Sequence, residues 1–116
     1  MDLGVNGNVF GGRILAWLDE AGSIYAFKLI GPVVLLKISE VLFKTPVRER
    51  DIIDILGAVK DVGMTSISIE MDVIKVQTKE MICTCEAKFV HIDEKGNKVP
   101  IPEERREMIK KQCGVS

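Results

Sequence analysis

The chain of 116 residues has a single histidine, His91, three cysteines and few aromatic residues, 5% in all. With one histidine, no histidine cluster can hold zinc, and no serine–histidine–aspartate constellation is evident. Cys83, Cys85 and Cys113 lack the C-x-x-C spacing of redox and zinc motifs. Their odd number, with no secretory signal, fits free thiols in a reducing compartment. On a strand, Cys83 and Cys85 would share a face, as small core residues rather than a disulfide. His91 falls near a strand end and reads as a packed or half-exposed side chain. Neither a G-x-x-x-x-G-K-[ST] nor a G-x-G-x-x-G phosphate loop occurs. Net charge is only −1, from 16 basic and 17 acidic residues. With aromatics this scarce, a nucleic-acid platform is not expected. The longest apolar run, 30–36, contains Gly31 and Pro32. It is far short of the roughly 20 residues that cross a bilayer. The chain is therefore expected to be cytoplasmic, with no membrane partner and no metal.

What is present is a mixed composition, 47% hydrophobic and 28% charged, long enough for one domain over 1–116 with one core. Two glycines and two asparagines within 1–9 read as a loop. Between 12 and 29 the pattern turns helical, with Ile14, Leu15, Leu18, Ala21, Gly22, Tyr25 and Leu29 on one stripe. Ala16, Trp17, Ile24, Ala26 and Phe27 make the other sides apolar too, which predicts a buried helix. Gly31-Pro32 ends it. Strands are predicted at 33–43, 51–62, 65–76 and 81–92. In the third, Ile67, Ile69, Met71 and Val73 oppose Ser66, Ser68, Glu70 and Asp72. Residues 93–96 form a turn. A short helix over 102–112 follows, with Pro102 at its start, acids first, bases last and Gly114 beyond. Short connections favour an antiparallel meander, curved around the apolar helix, with open edges that other subunits would extend.

Asp19 is the candidate for chemistry. Arg13, Glu20 and Lys28 gather on one side of the helix. Asp19 lies roughly 100° or more away from them on the helical projection, beside Leu15, Ala26 and Ile30. Burial on that flank would raise its pKa and make it a usable base, unless it bonds only to a neighbouring loop or subunit. Gly11 and Gly12 open the helix, where free N–H donors could polarise a carbonyl and hold an oxyanion. The alternative is a tight turn that packs the helix on the sheet.

The stretch 8–22 (NVFGGRILAWLDEAG) resembles the hotdog acyl-CoA thioesterases, in particular the bacterial YciA-like hydrolases and the cytosolic brain-type acyl-CoA hydrolase. The likeness continues through FKTPVR at 43–48, VGMTSI at 62–67, FVHID at 89–93 and GNKVPIP at 96–102, in order and across almost the whole chain. The resemblance implies an α+β hotdog fold, an antiparallel β-sheet wrapped around a central α-helix. It implies hydrolysis of acyl-CoA to a fatty acid and CoA, with Asp19 as general base or nucleophile. Gly12 would be the oxyanion donor with Gly11 beside it, and Thr65 and Ser66 would lie near the CoA channel. CoA is then part of substrate and product, not a retained cofactor. Sites would form between subunits of a homo-oligomer, a dimer of hotdogs and a trimer of such dimers, the hexamer. Either Lys44 and Arg48 with Arg50, or Arg105, Arg106, Lys110 and Lys111 in the tail, could meet the phosphates of CoA, a solvated surface being the alternative.

The family loop usually reads D-x-N-x-x-G. Here Gly4 stands at the asparagine, and Asn6 and Asn8 are the candidates to replace it in the site. Arg50 replaces a family glycine before Asp51, and the family's leading strand is expected to be absent. Gly4 favours a second reading, a non-catalytic acyl-CoA-binding hotdog module.

Overall fold

A computed structural model of the chain describes residues 11–39, 41–48 and 50–114. Helix α1 spans Gly11–Ile30. Ile14, Leu18, Ala26 and Ile30 recur at helical spacing and are all but completely buried, and Gly22 in the same row brings the backbone close to the sheet. At Gly31 φ turns to +97° and its N–H bonds to the Phe27 carbonyl at 2.9 Å. This left-handed cap suits glycine, and Pro32 cannot continue the helix.

Strands β1 (Val33–Ile38), β2 (Leu42–Phe43), β3 (Ile53–Val62), β4 (Ser66–Lys75) and β5 (Met81–His91) form one antiparallel sheet in the order β1-β5-β4-β3, with β2 also on β5. The predicted strand over 33–43 is thus two strands. Between them Ser39 takes over the pairing: its N–H donates to the Glu86 carbonyl, and its hydroxyl accepts the Glu86 N–H.

The predicted meander is correct only for β3, β4 and β5. Short turns hold those three together, whereas β1 crosses to the far side of β5. Strand β5 lies between β4 on one side and β1 and β2 on the other, with Cys83, Cys85, Ala87 and Phe89 buried on its inner face. The long connection 39–52 leaves β1 free to take the other edge.

The inner face follows the alternation expected from the sequence. Ile67, Ile69, Met71 and Val73 of β4 face α1, as do Cys83, Cys85, Ala87 and Phe89 of β5, all buried. Each large aliphatic side chain there contributes about 1.5–3 kcal/mol through removal from water. On the outer face Thr84 donates to Asp72 at 2.7 Å across the ladder.

Helix α2 (Glu103–Cys113) follows the predicted order of charges and closes with Gly114 in the left-handed conformation. It buries Ile109, and Arg105 Nη1 donates to the Leu29 carbonyl at 3.3 Å. A cation there suits the negative end of the α1 dipole.

Candidate active site

The two ends of α1 lie at opposite ends of the sheet. A Cβ at Gly31 would lie 3.6 Å from His91 Nε2, while Gly22 is against Phe89 and Met71 near mid-strand. The helix therefore begins toward the other end, where β4 finishes at Lys75, β5 starts at Met81 and β3 starts at Ile53. The turn that carries Lys44 and Arg48 is at this end too, tied by Lys44 N–H to the Ile82 carbonyl at 2.7 Å. The first turn of α1, opened by Gly11 and Gly12, has no acidic side chain to compete for its free N–H donors.

Thr65 and Ser66 lie elsewhere. The Thr65 carbonyl accepts the His91 N–H at 2.8 Å and Ser66 pairs with Val90, so both sit beside the C-terminal end of α1. From Ser66 to Lys75 the strand covers roughly 30 Å at ~3.3 Å per residue. One protomer thus separates Thr65 and Ser66 from Lys44 and Arg48. Asn6 and Asn8 lie outside the described residues.

Asp19 is exposed, against the expectation of a buried carboxylate. Ser23, one turn on, donates its hydroxyl to Asp19 Oδ1 at 3.2 Å. The helix is not buried all round, because the sheet covers one side and leaves the side with Asp19 open. Leu15, Ile24 and Phe27 are exposed on α1, at 38%, 51% and 60%. The apolar flank around Asp19 is real, but nothing among the described residues covers it. Next to it, Ile24 and Phe27 line a shallow hollow with Pro32 and Val33, so the open side of α1 runs into the edge strand β1.

The remaining polar groups are quieter. His91 is half-buried, its Nδ1 3.2 Å from the carbonyls of Val99 and Pro100. Cys83 and Cys85 are core residues as expected, and burial pushes the Cys85 thiol up to about 11. Lys44, Arg48 and Arg50 are exposed.

Sequence reasoning missed the group beneath those three cations. Asp51 Oδ2 accepts the Arg48 N–H at 2.7 Å and lies 3.3 Å from Lys75 Nζ. The Arg48 N–H, against the opposing effect of burial and aided by Lys75, holds the Asp51 carboxyl below the usual range. Gln77 spans the same turn. Asp51 was visible as an acid after a run of bases; Lys75 and Gln77 carry no local signal, since the turn between β4 and β5 brings them there.

The model of the thioesterase superfamily matches residues 6–82. An uncharacterized acyl-CoA thioester hydrolase of Haemophilus influenzae is 31% identical, over 98% of this chain and 79% of that protein. The acyl-CoA thioester hydrolase YciA of Salmonella typhimurium is 31% identical over 87% of this chain and 82% of its own. Among solved structures, the hexameric hotdog fold thioesterase of Campylobacter jejuni superposes with a TM-score of 0.83. It is 36% identical, covering 92% of this chain and 86% of that one.

Proposed function

From the premise that the chain belongs to the thioesterase superfamily, we propose that it is an acyl-CoA thioester hydrolase, active as a homo-oligomer of hotdog subunits. The observation that carries this reading is the likeness to acyl-CoA thioester hydrolases over nearly the whole chain, with Asp19 and the helix-opening glycines inside the matched segment. The substrate is an acyl-CoA, and CoA leaves as product rather than staying as a cofactor. The location is cytoplasmic. Among the described residues no helix is long and apolar enough to cross a membrane.

The helix geometry calls for two subunits. Gly12 and Asp19 are seven residues apart, about 10 Å along the axis at ~1.5 Å per residue. A reacting carbonyl needs its donor and its attacking group each within about 3 Å. One helix cannot supply both. Two antiparallel helices that cross near residues 15 and 16 would set Asp19 against Gly12 of the partner subunit. They would also cover Leu15. The thioester oxygen then takes the N–H donors of one helix start while Asp19 from the other subunit acts. As a base, Asp19 removes a proton from water, whose oxygen bonds to the acyl carbon as the C–S bond breaks and CoA takes up a proton. As a nucleophile, its oxygen forms an anhydride, CoA leaves, and water opens the anhydride.

Edge strand β1 is the natural seam for such a dimer. Among the described residues no strand pairs with its outer edge, and Val34, Leu35 and Leu36 are exposed. An antiparallel twofold seam reverses one protomer against the other. It thereby brings Thr65 and Ser66 of one subunit to the sheet end that carries Lys44 and Arg48 in the other. Three such dimers would make a hexamer.

The test is free-thiol release from short, medium and long acyl-CoAs by the wild type and Asp19→Asn. Turnover should fall by about 10²–10⁴ in the variant with assembly intact. Hydrolysis that survives in Asp19→Asn rules that carboxylate out. A folded wild-type oligomer that binds acyl-CoA but releases no thiol would establish the second reading, the binding module favoured by Gly4.

A further inference from the structure

The turn before β3 is held more firmly than a solvated surface turn requires. Asp51 N–H donates to the Arg48 carbonyl at 3.0 Å and Arg48 N–H donates back to Asp51 Oδ2 at 2.7 Å, closing the turn in both directions. The Lys75–Asp51 pair beneath is largely covered, its side chains 13% and 18% exposed. Gln77 accepts the Ile52 N–H at 3.2 Å through Oε1 and donates Nε2 to the Arg50 carbonyl at 3.4 Å. On the near side Thr45 Oγ1 donates to the Met81 carbonyl at 3.2 Å, and Val47 is buried. These contacts use backbone groups, Thr45, Asp51, Lys75 and Gln77. Among the described residues, the cationic heads of Lys44, Arg48 and Arg50 enter no hydrogen bond or ion pair.

We propose that Asp51, Lys75 and Gln77 are positioning residues that hold Lys44, Arg48 and Arg50 as a preformed receptor for the phosphates of the CoA nucleotide. The inference rests on the thioesterase reading for the identity of its ligand. Lys44, Arg48 and Arg50 share one turn with no hydrogen bond or ion pair at their cationic heads among the described residues, which suits phosphate oxygens, bound by guanidinium groups through paired N–H donors. A turn already rigid loses little entropy when it binds. The other basic group does not qualify. Arg105 and Arg106 are engaged with the carbonyls of Leu29 and Ile101, and Glu103, Glu104 and Glu107 intersperse the rest of α2.

Charge and positioning predict opposite signs, which makes the test sharp. Asp51→Ala raises the net positive charge of the patch by one, so charge alone would tighten nucleotide binding, whereas lost positioning weakens it. Gln77→Ala leaves the charge unchanged and tests positioning by itself; it also stands in if Asp51→Ala fails to fold. With the assembled protein, both variants should raise KM for acyl-CoA about tenfold with kcat within about twofold. The kcat/KM advantage of acyl-CoA over the matching acyl-pantetheine, which lacks the nucleotide, should shrink by a similar factor. Binding of adenosine 3′,5′-bisphosphate, read by calorimetry, should weaken in parallel. Equal losses on both substrates, no change in either, or tighter nucleotide binding by Asp51→Ala would each overturn the inference. A wild type that binds the nucleotide, and loses it in the variants, yet releases no thiol would sink the thioesterase reading and leave this one standing.

Discussion

Cys83 and Cys85 show how little of a residue's chemistry its type reveals. Both are buried on the face of β5 that meets α1, and burial, with Cys83 and Asp72 adding to it, raises the Cys85 thiol to about 11. Cys113, at the end of α2, is exposed. A thiol reacts as thiolate, so at pH 8 one equivalent per chain, Cys113, should react promptly with a disulfide reagent, and the other two only after denaturation. Fast reaction of all three in the native protein would contradict the packing of β5 against α1. Asp19 is the opposite case. The sequence marks it as an acid on an apolar flank, and the flank exists. Among the described residues Asp19 stays exposed, because the sheet packs on the other side of α1.

The joint between α1 and the sheet turns on Gly22. A Cβ there would lie 2.7 Å from Phe89 Cζ and 3.2 Å from Met71 Sδ, and both side chains are buried. Gly22→Ala should gain about 1 kcal/mol of helix propensity but lose about 1–3 kcal/mol to overpacking. The expected result is a thermal midpoint lower by a few degrees at matched protein concentration. A midpoint that rises would mean α1 rides higher on the sheet than described. The periodicity of α1 and the alternation of β4 and β5 were legible because each reflects a single buried face. The break between β1 and β2 was not, since Ser39 takes over the pairing through its own backbone and hydroxyl.

For the whole molecule, exposed apolar surface gathers where α1 meets the edge strand β1. Ile24 and Phe27 of α1 line a hollow with Pro32 and Val33, and Val34, Leu35 and Leu36 of β1 are exposed. Patches of this kind mark association surfaces. Leu36→Asp should leave the protomer folded, because Leu36 is 61% exposed, yet raise the dimer dissociation constant at least tenfold. A buried leucine is worth about 1.5–3 kcal/mol, and a twofold interface counts it twice. Sedimentation velocity would read the shift, and turnover should fall with assembly if each site needs two subunits. A variant that stays fully assembled would place the seam elsewhere.

The sequence by itself determined the helix, the alternating strands, the closing turn and α2, and through its motifs the family. These follow from local periodicity, from glycine and proline placement, and from residue order. Only the tertiary structure decided that β1 lies beyond β5, that Thr65 and Ser66 stand about a strand's length from Lys44 and Arg48, and that Asp51, Lys75 and Gln77 meet under one basic turn. Contacts between residues far apart in the chain depend on which strands share an edge, and no local pattern of residues encodes that choice.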